Sequence, residues 1–194
     1  LENCGADDPK TAARAITRAA EAGVVGGSIE DSTGNREHPI YDFSLAVERV
    51  QAAVEAARAL PFPFMLTARA ENLLHGRNDL DDTIKRLQAF EAVGADVLYA
   101  PGVYDAKTIR TVTASLGKPF NLVMGFADPT LTVDQIAAAG VKRISTGGAM
   151  ERHALNAFLR SAREMKDKGS FSYVRDMAPV KEVRAAFNGS VPAP

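Results

Sequence analysis

The sequence predicts an α/β fold in which short strands of a parallel sheet alternate with helices. Apolar runs of five or six residues alternate with longer amphipathic segments of helical period along the 194-residue chain. Gly or Pro follows several of these helical segments, as expected at helix ends. No linker or low-complexity stretch divides the chain, and its 46% hydrophobic residues are enough for one sizeable core. Strands and helices that alternate in this way form parallel βαβ units.

The elements follow from local signals. A first helix is predicted from Asp7 to about Glu21, because Pro9 occupies an early helical position and the aspartates lie at the positive end of the helix dipole. Five strands are predicted at 24–30, 64–69, 96–100, 119–124 and 141–146. Helices are predicted at 41–60, 78–94, 105–117, 131–140 and 149–169, with a last one at about 179–187.

The element count leaves two architectures open. Each of the five strands is followed by a helix, and one extra helix precedes the first strand, so Leu1-Glu2 would be the end of a further strand. Five or six βα units are too few for a (β/α)₈ barrel, which takes about 250 residues. An open doubly wound sheet fits the length if the chain is complete. The chain begins at Leu1 rather than Met, so we expect the true N-terminus to be absent.

Composition excludes several classes of function. The chain has 23 basic and 24 acidic residues, which argues against an electrostatic nucleic-acid binder. No run of about 18 apolar residues and no signal peptide is present, so no membrane association is expected. The single cysteine, Cys4, excludes an internal disulfide framework and fits a reducing cytoplasm.

Polar residues at predicted strand ends form the candidate site, because the carboxyl ends of parallel strands carry the sites of α/β folds. These residues are Glu2, Asn3, Glu30, Asp31, Arg69, Glu71, Asn72, Asn121 and the Thr146-Gly147-Gly148 turn. Carboxylate oxygens suit Mg²⁺, and an arginine opposite them suits a substrate carboxylate. The turn containing Gly147 has the composition of a phosphate-binding turn, although two glycines are a weak signal.

Structural alternatives exist for the same residues. A Glu-Asp pair after a strand can be the N-cap region of the next element, and Arg69 can be a structural ion-pair partner of Glu30 or Glu71. His38, His75 and His153 are interpreted as surface or loop residues, and Cys4 as a small packing residue.

Four segments resemble the isocitrate lyase and phosphoenolpyruvate mutase superfamily, in particular its small phosphonomutase-like and methylisocitrate-lyase-like members. They are SIEDS (28–32), LTARAENLLHGRNDLDDTIKRLQAFEAVGADVLYAPG (66–102), KPFNLVM (118–124) and GVKRISTGGAM (140–150). The resemblance extends to about residue 175. It implies a (β/α)₈ TIM barrel of which this chain covers about strands 4–8, within residues 1–175, followed by a C-terminal helix and tail at 176–194. It also implies a homo-oligomer, a dimer or tetramer whose last helix is exchanged between subunits.

The chemistry implied by the resemblance is formation or cleavage of a C–C or P–C bond next to a 2-oxo or 2-hydroxy acid, through an enolpyruvate-like intermediate. Mg²⁺, or Mn²⁺ in its place, would be anchored by Glu2 and Glu30, largely through water. Arg69 matches the arginine of the family's A-R-x-[DE] motif, which grips the substrate carboxylate. Glu71, Asn121 and Gly147 are weaker substrate-binding candidates, and Asp31 is expected to organise the loop.

Three departures from the family pattern qualify this prediction. The Lys-Lys-Cys-Gly-His loop of true lyases is replaced by STGNREHPIYDF (32–43), where Arg36 and His38 are the only comparable polar residues. Cys4 and Ala6 stand where relatives generally carry glycine. The family's first metal aspartates and serine-rich loop belong to a part that this chain lacks, so we expect a fragment or an incomplete gene model. An oxaloacetate-type decarboxylase or hydrolase is the alternative enzyme, and a catalytically silent barrel is the alternative without activity.

Overall fold

A computed structural model describes residues 1–188, which fall into two compact units. The first unit, Leu1–Gly147, contains a five-stranded parallel sheet and five helices. In chain order its elements are α1 (Pro9–Glu21), β1 (Gly26–Glu30), α2 (Phe43–Arg58), β2 (Met65–Arg69), α3 (Leu80–Ala92), β3 (Val97–Tyr99), α4 (Ala106–Ala114), β4 (Phe120–Val123), α5 (Val133–Ala138) and β5 (Arg143–Ser145). Each of these elements lies inside its predicted range.

The strand order separates the two architectures that the sequence left open. The strands are hydrogen-bonded in the order β1-β2-β3-β4-β5, and all four pairs are parallel. An open doubly wound sheet reverses its order at a switch point, whereas this sheet does not. Right-handed crossovers without a reversal place every connecting helix on the same side of the sheet. The first unit therefore has the winding of a (β/α) barrel.

The two faces of the sheet differ in chemistry. Side chains on one face are buried against the helices and are apolar: Ile29, Leu66, Ala68, Leu98, Phe120 and Leu122. The strand register aligns Glu30, Arg69, Tyr99, Asn121 and Arg143 across the opposite face. We call this second face the polar face. Because side chains alternate between faces, the same short strands supply both the core and a row of polar groups.

Short polar side chains fix where several helices begin. Asp8, Asp79 and Asp105 accept hydrogen bonds from backbone N–H groups in the first turns of α1, α3 and α4. Thr132 forms a capping box with Gln135 at the start of α5. These caps satisfy N–H groups that have no partner within the helix.

The second unit begins at Gly148 and contains α6 (Ala149–Lys168), a 3₁₀ helix (Ser172–Asp176) and α7 (Val180–Phe187). The 3₁₀ helix is an addition to the predicted elements. Gly169 ends α6 in the left-handed conformation, at φ = 60°, as expected of a C-terminal glycine. The predicted boundary at residue 175 stays a prediction, and the tail at 189–194 lies outside the described residues. No helix within residues 1–188 is long and apolar enough to cross a membrane.

Gly102 follows β3, and its backbone lies close to Leu73 in a left-handed conformation. Its φ is +96°, and a Cβ at this position would lie 2.7 Å from Leu73 Cβ. Gly102→Ala is expected to lower the free energy of unfolding by about 2–4 kcal/mol, because left-handed strain and a steric clash add. Gly23→Ala is the control, since Gly23 has φ +88° but no atom within 4 Å of a new Cβ. Urea unfolding should show that the control loses only about 1–2 kcal/mol of its free energy of unfolding. Equal losses in the two variants would contradict a steric clash between position 102 and Leu73.

Candidate active site

Arg69, the last residue of β2, is held by three neighbours on the polar face. Its Nε donates to Glu71 Oε1 at 2.7 Å, and its Nη2 lies 3.1 Å from Glu30 Oε2. The guanidinium carbon lies 4.8 Å from the centroid of the Tyr99 ring, within cation–π range. No acceptor among residues 1–188 contacts Nη1. The end of the guanidinium that carries Nη1 is therefore available to a ligand.

Glu30 ends β1 directly opposite Arg69 in the strand register. Burial raises the pKa of its carboxyl group, and the nearby carboxylates of Glu71 and Glu2 raise it further, whereas Arg69 lowers it. Burial also raises the pKa of Glu71, again opposed by Arg69. The single guanidinium thus does not compensate all the acidic groups around it, and the site favours an added positive charge.

The N-terminal segment brings Glu2 to the same place. The Glu30 N–H donates to the Glu2 carbonyl at 3.2 Å, so residue 2 runs beside the outer edge of β1. Arg49, which is almost fully buried, donates to the carbonyls of Asn3 and Ala6, both at 2.5 Å. Cys4 has φ = 58°, a left-handed conformation that favours glycine. A glycine at position 4 would adopt this conformation without a Cβ penalty.

Asp31 lies behind the site and contacts its framework. Its Oδ1 accepts the backbone N–H of Glu71 at 2.8 Å, and its Oδ2 lies 3.1 Å from Arg86 Nη1. Arg86 also donates to the Tyr41 carbonyl and to Asp82 Oδ2. Burial raises the pKa of Asp31 to about 6, although the Glu71 N–H and Arg86 lower it. These are the contacts of a residue that organises the loop. Neither Glu30 nor Asp31 is a helix cap, since α2 begins only at Phe43.

A cavity of about 530 Å³ joins these groups. It is lined by Glu2, Asn3, Glu30, Ser32, Gly34, Arg69, Glu71, Leu74 and His75. Five of the predicted site residues thus line one cavity: Glu2, Asn3, Glu30, Arg69 and Glu71. The alternative prediction, that Arg69 forms ion pairs with Glu30 or Glu71, also agrees with the structure, because Arg69 is paired with both glutamates. The three ion-paired residues are themselves part of the cavity wall, so the two predictions do not exclude each other.

Two of the predicted substrate-binding residues, Asn121 and Gly147, do not line this cavity. Asn121 is the second residue of β4 and lines a different cavity of about 800 Å³, which also contains Thr67, Tyr99 and Arg143. Its Nδ2 donates to Ser145 Oγ at 3.0 Å, and its buried Oδ1 has no partner within the described chain. Gly147 follows β5 with φ = 52° and is not among the residues that line the 530 Å³ cavity. Their assignment to substrate binding stays a prediction.

Three residues of the site were missed from the sequence. The sequence assigns no site role to Tyr99 or Ser32, and it predicts His75 to be a surface or loop residue. His75 is indeed exposed and lies in a turn, but its Nε2 is 3.4 Å from the buried Ser32 Oγ at the cavity. The spacing from Glu71 to His75 is one helical turn, and this was the available signal.

The donor set fits a hydrated magnesium ion. Glu2 and Glu30 offer hard carboxylate oxygens, and Mg²⁺ keeps several waters when one or two carboxylates bind it. No group of three or more His, Cys, Asp or Glu residues within 1–188 is arranged to hold a metal alone. Two carboxylates in an acid-rich cavity are compatible with water-mediated binding, and not with a closed protein cage.

The parallel βα sheet has the winding of a barrel, and a carboxylate–arginine cluster lies where its strands end. These two features define the class of α/β-barrel proteins. The family described as phosphoenolpyruvate phosphomutase matches residues 1–166. The chain belongs to this family, within the phosphoenolpyruvate mutase/isocitrate lyase superfamily. The predicted superfamily and fold class are thereby confirmed.

Individual relatives agree with this assignment. A solved protein of Burkholderia cenocepacia J2315, provisionally described as a lyase/mutase, is 56% identical with a TM-score of 0.92, over 96% of this chain and 67% of its own. Oxaloacetate decarboxylase 2 of Pseudomonas fluorescens (strain Pf0-1) is 29% identical over 78% of this chain and 52% of its own length. The structure of 2,3-dimethylmalate lyase, a superfamily member, is 23% identical with a TM-score of 0.76, over 98% of this chain and 70% of its own, and shows the fold.

The names of these relatives support the prediction of an enzyme. The chain spans about half the length of the curated relatives that it matches.

Proposed function

We propose that the full-length protein is a lyase or mutase-type enzyme that makes or breaks a C–C or P–C bond next to a small 2-oxo or 2-hydroxy acid. The reaction would pass through an enolpyruvate-like state. One observation carries this proposal: Arg69 is fixed on three sides by Glu30, Glu71 and Tyr99, and its Nη1 has no acceptor within residues 1–188.

The fixed guanidinium suits a carboxylate ligand. Glu71 and Glu30 occupy the Nε and Nη2 donors, so the terminal Nη1 donors remain for the substrate. Arginine presents its donors in a planar fork that matches a carboxylate. Because the side chain is already held, little conformational freedom is lost on binding. Arg69 would bind the carboxylate of the 2-oxo acid and stabilise the oxyanion that develops beside it.

The superfamily's members generally depend on a divalent metal. Glu30 and Glu2 would hold Mg²⁺ here, or Mn²⁺ in its place, largely through water. When bound, the metal would supply positive charge to the developing enolate oxygen.

Decarboxylation or hydrolysis of an oxaloacetate-type acid is the second candidate. Residues 32–43 contain neither cysteine nor lysine, so the acid that protonates the leaving group in true lyases is missing there. Decarboxylation releases CO₂ and needs no such acid. The relative named oxaloacetate decarboxylase supports this candidate.

Location and assembly are also proposals. A cytoplasmic protein is inferred from the single cysteine. A homo-oligomer, either a dimer or a tetramer with an exchanged last helix, is inferred from the family resemblance, and no nucleic-acid or membrane partner is proposed.

Oxalate tests this proposal, because it is a planar mimic of enolpyruvate. Isothermal titration of the full-length protein should show micromolar oxalate binding in the presence of Mg²⁺. We expect the affinity to fall at least about tenfold with excess EDTA, since the carboxylates of the cavity then repel the dianion. Tartronate, which has a tetrahedral central carbon, serves as the comparison ligand and should bind more weakly. Absence of oxalate binding with and without Mg²⁺ would favour a catalytically silent barrel.

A further inference from the structure

We propose that His75, acting through Ser32, is the acid–base residue that transfers a proton to and from the substrate carbon. This inference rests on the proposed function and names a group that the sequence left unassigned.

The backbone places His75 at the rim of the 530 Å³ cavity. Its N–H lies 3.1 Å from the Glu71 carbonyl and 3.2 Å from the Asn72 carbonyl, so the turn after Arg69 and Glu71 fixes its position. The side chain is exposed, and it lines the cavity together with Glu30 and Arg69. His75 therefore has access to bulk water on one side and to the site on the other.

Ser32 extends this path inward. Ser32 is only 6% exposed and forms an isolated β-bridge with Ile40, which holds the loop after β1. Its Oγ is 3.4 Å from His75 Nε2. A protonated imidazole can donate to the hydroxyl, and the hydroxyl can donate to a neutral imidazole. A buried hydroxyl next to an exposed imidazole is a suitable pair for moving a proton between solvent and a closed site.

The other charged groups that face this cavity are less suited to the task. Glu2, Glu30 and Glu71 are acidic, and the last two are ion-paired with Arg69, which stays protonated. Among the described lining residues, His75 alone carries an imidazole, whose ring nitrogens can donate and accept a hydrogen bond.

The proposed step is balanced for the enolate of pyruvate. The enolate oxygen reforms the C2=O double bond, and the C2=C3 electron pair takes a proton from Ser32 Oγ–H. Ser32 takes the Nε2 proton of the His75 imidazolium, and the neutral imidazole regains a proton from water. The reverse sequence removes a methyl proton from pyruvate, so the pair should also catalyse exchange of these protons with solvent.

Exchange of pyruvate methyl protons in D₂O, followed by ¹H NMR with Mg²⁺ present, tests this proposal in the full-length protein. His75→Gln should slow exchange by about 100-fold or more, and Ser32→Ala by about tenfold or more. Oxalate affinity should stay within about twofold in both variants, because Arg69 is untouched. Added imidazole should restore exchange to His75→Ala, since the vacated position is open to solvent. His153→Gln, an exposed histidine on α6, is the matched control and should exchange at the wild-type rate.

The possible outcomes separate the role of His75 from the proposed function. Normal exchange by His75→Gln, or a loss that imidazole does not rescue, would overturn the role of His75. A wild-type protein that binds oxalate without exchanging methyl protons would overturn it as well. A wild-type protein that neither binds oxalate nor exchanges would contradict the proposed function itself.

Discussion

Replacing Arg69 by lysine in the full-length protein should lower kcat/KM by about 10²–10³-fold, with oxaloacetate as the first substrate to be tested. Lysine keeps the positive charge between Glu30 and Glu71, so the fold is preserved. It cannot donate to both glutamates and to a substrate carboxylate in one plane, because its three donors radiate from a single atom. Steady-state kinetics and oxalate titration should therefore show weaker catalysis and weaker binding together.

Arg110→Lys is the matched control for this variant. Arg110 lies exposed on α4 and is outside the cavity, so its replacement should leave kinetics unchanged. Arg69→Ala should also abolish turnover, but it leaves Glu30 and Glu71 without their cation and so costs stability. Normal kcat/KM in Arg69→Lys would show that Arg69 is a structural ion-pair partner only.

Replacing Arg86 by methionine should lower the free energy of unfolding by about 3–5 kcal/mol at pH 8. Arg86 is buried and contacts the fully buried Asp31 carboxylate, Asp82 and the Tyr41 carbonyl. Methionine fills much of the same volume but leaves Asp31 as an uncompensated buried charge. Lys85→Met is the matched control on the same helix, and because Lys85 is exposed its effect should stay within about 0.5 kcal/mol in urea unfolding.

The pH dependence of this loss has a definite sign. Asp31 has a folded-state pKa of about 6, above its ordinary value of 3.8. A raised carboxyl pKa means that its contribution to stability is fully present at low pH and is lost as pH rises from about 4 to about 6. Removal of Arg86 raises this pKa further, because Arg86 lowers it in the wild type. The destabilisation by Arg86→Met should therefore be smaller at pH 5 than at pH 8; a larger loss at pH 5 would contradict the assignment.

The elements of the fold could be predicted because their signals are local. Apolar spacing, helix caps and glycine stops lie within a few residues of each element, and all twelve predicted helices and strands contain an observed one. The strand order depends on contacts between distant segments. The periodicity alone therefore left barrel and open sheet undecided, and the family resemblance was needed to choose the barrel.

In the candidate site, too, some residues could be predicted from local patterns and others depend on contacts between distant segments. Glu30, Arg69 and Glu71 could be found because strand ends can be recognised from the sequence. The contact between Ser32 and His75 joins residues 43 positions apart, and no local pattern reports it. Arg86 looked like an ordinary cation on an amphipathic helix, since its burial depends on the loop that carries Asp31.

The support behind Arg69 has a consequence for inhibitor design. The backbone of Glu71 is anchored by a buried carboxylate, and Glu71 in turn holds the guanidinium, so the proposed carboxylate-binding group is already positioned without a ligand. A compound then needs few atoms to reach useful potency, because little of its interaction energy is spent on ordering the receptor. Small, flat dianions are accordingly better starting points for a fragment screen than larger, flexible scaffolds.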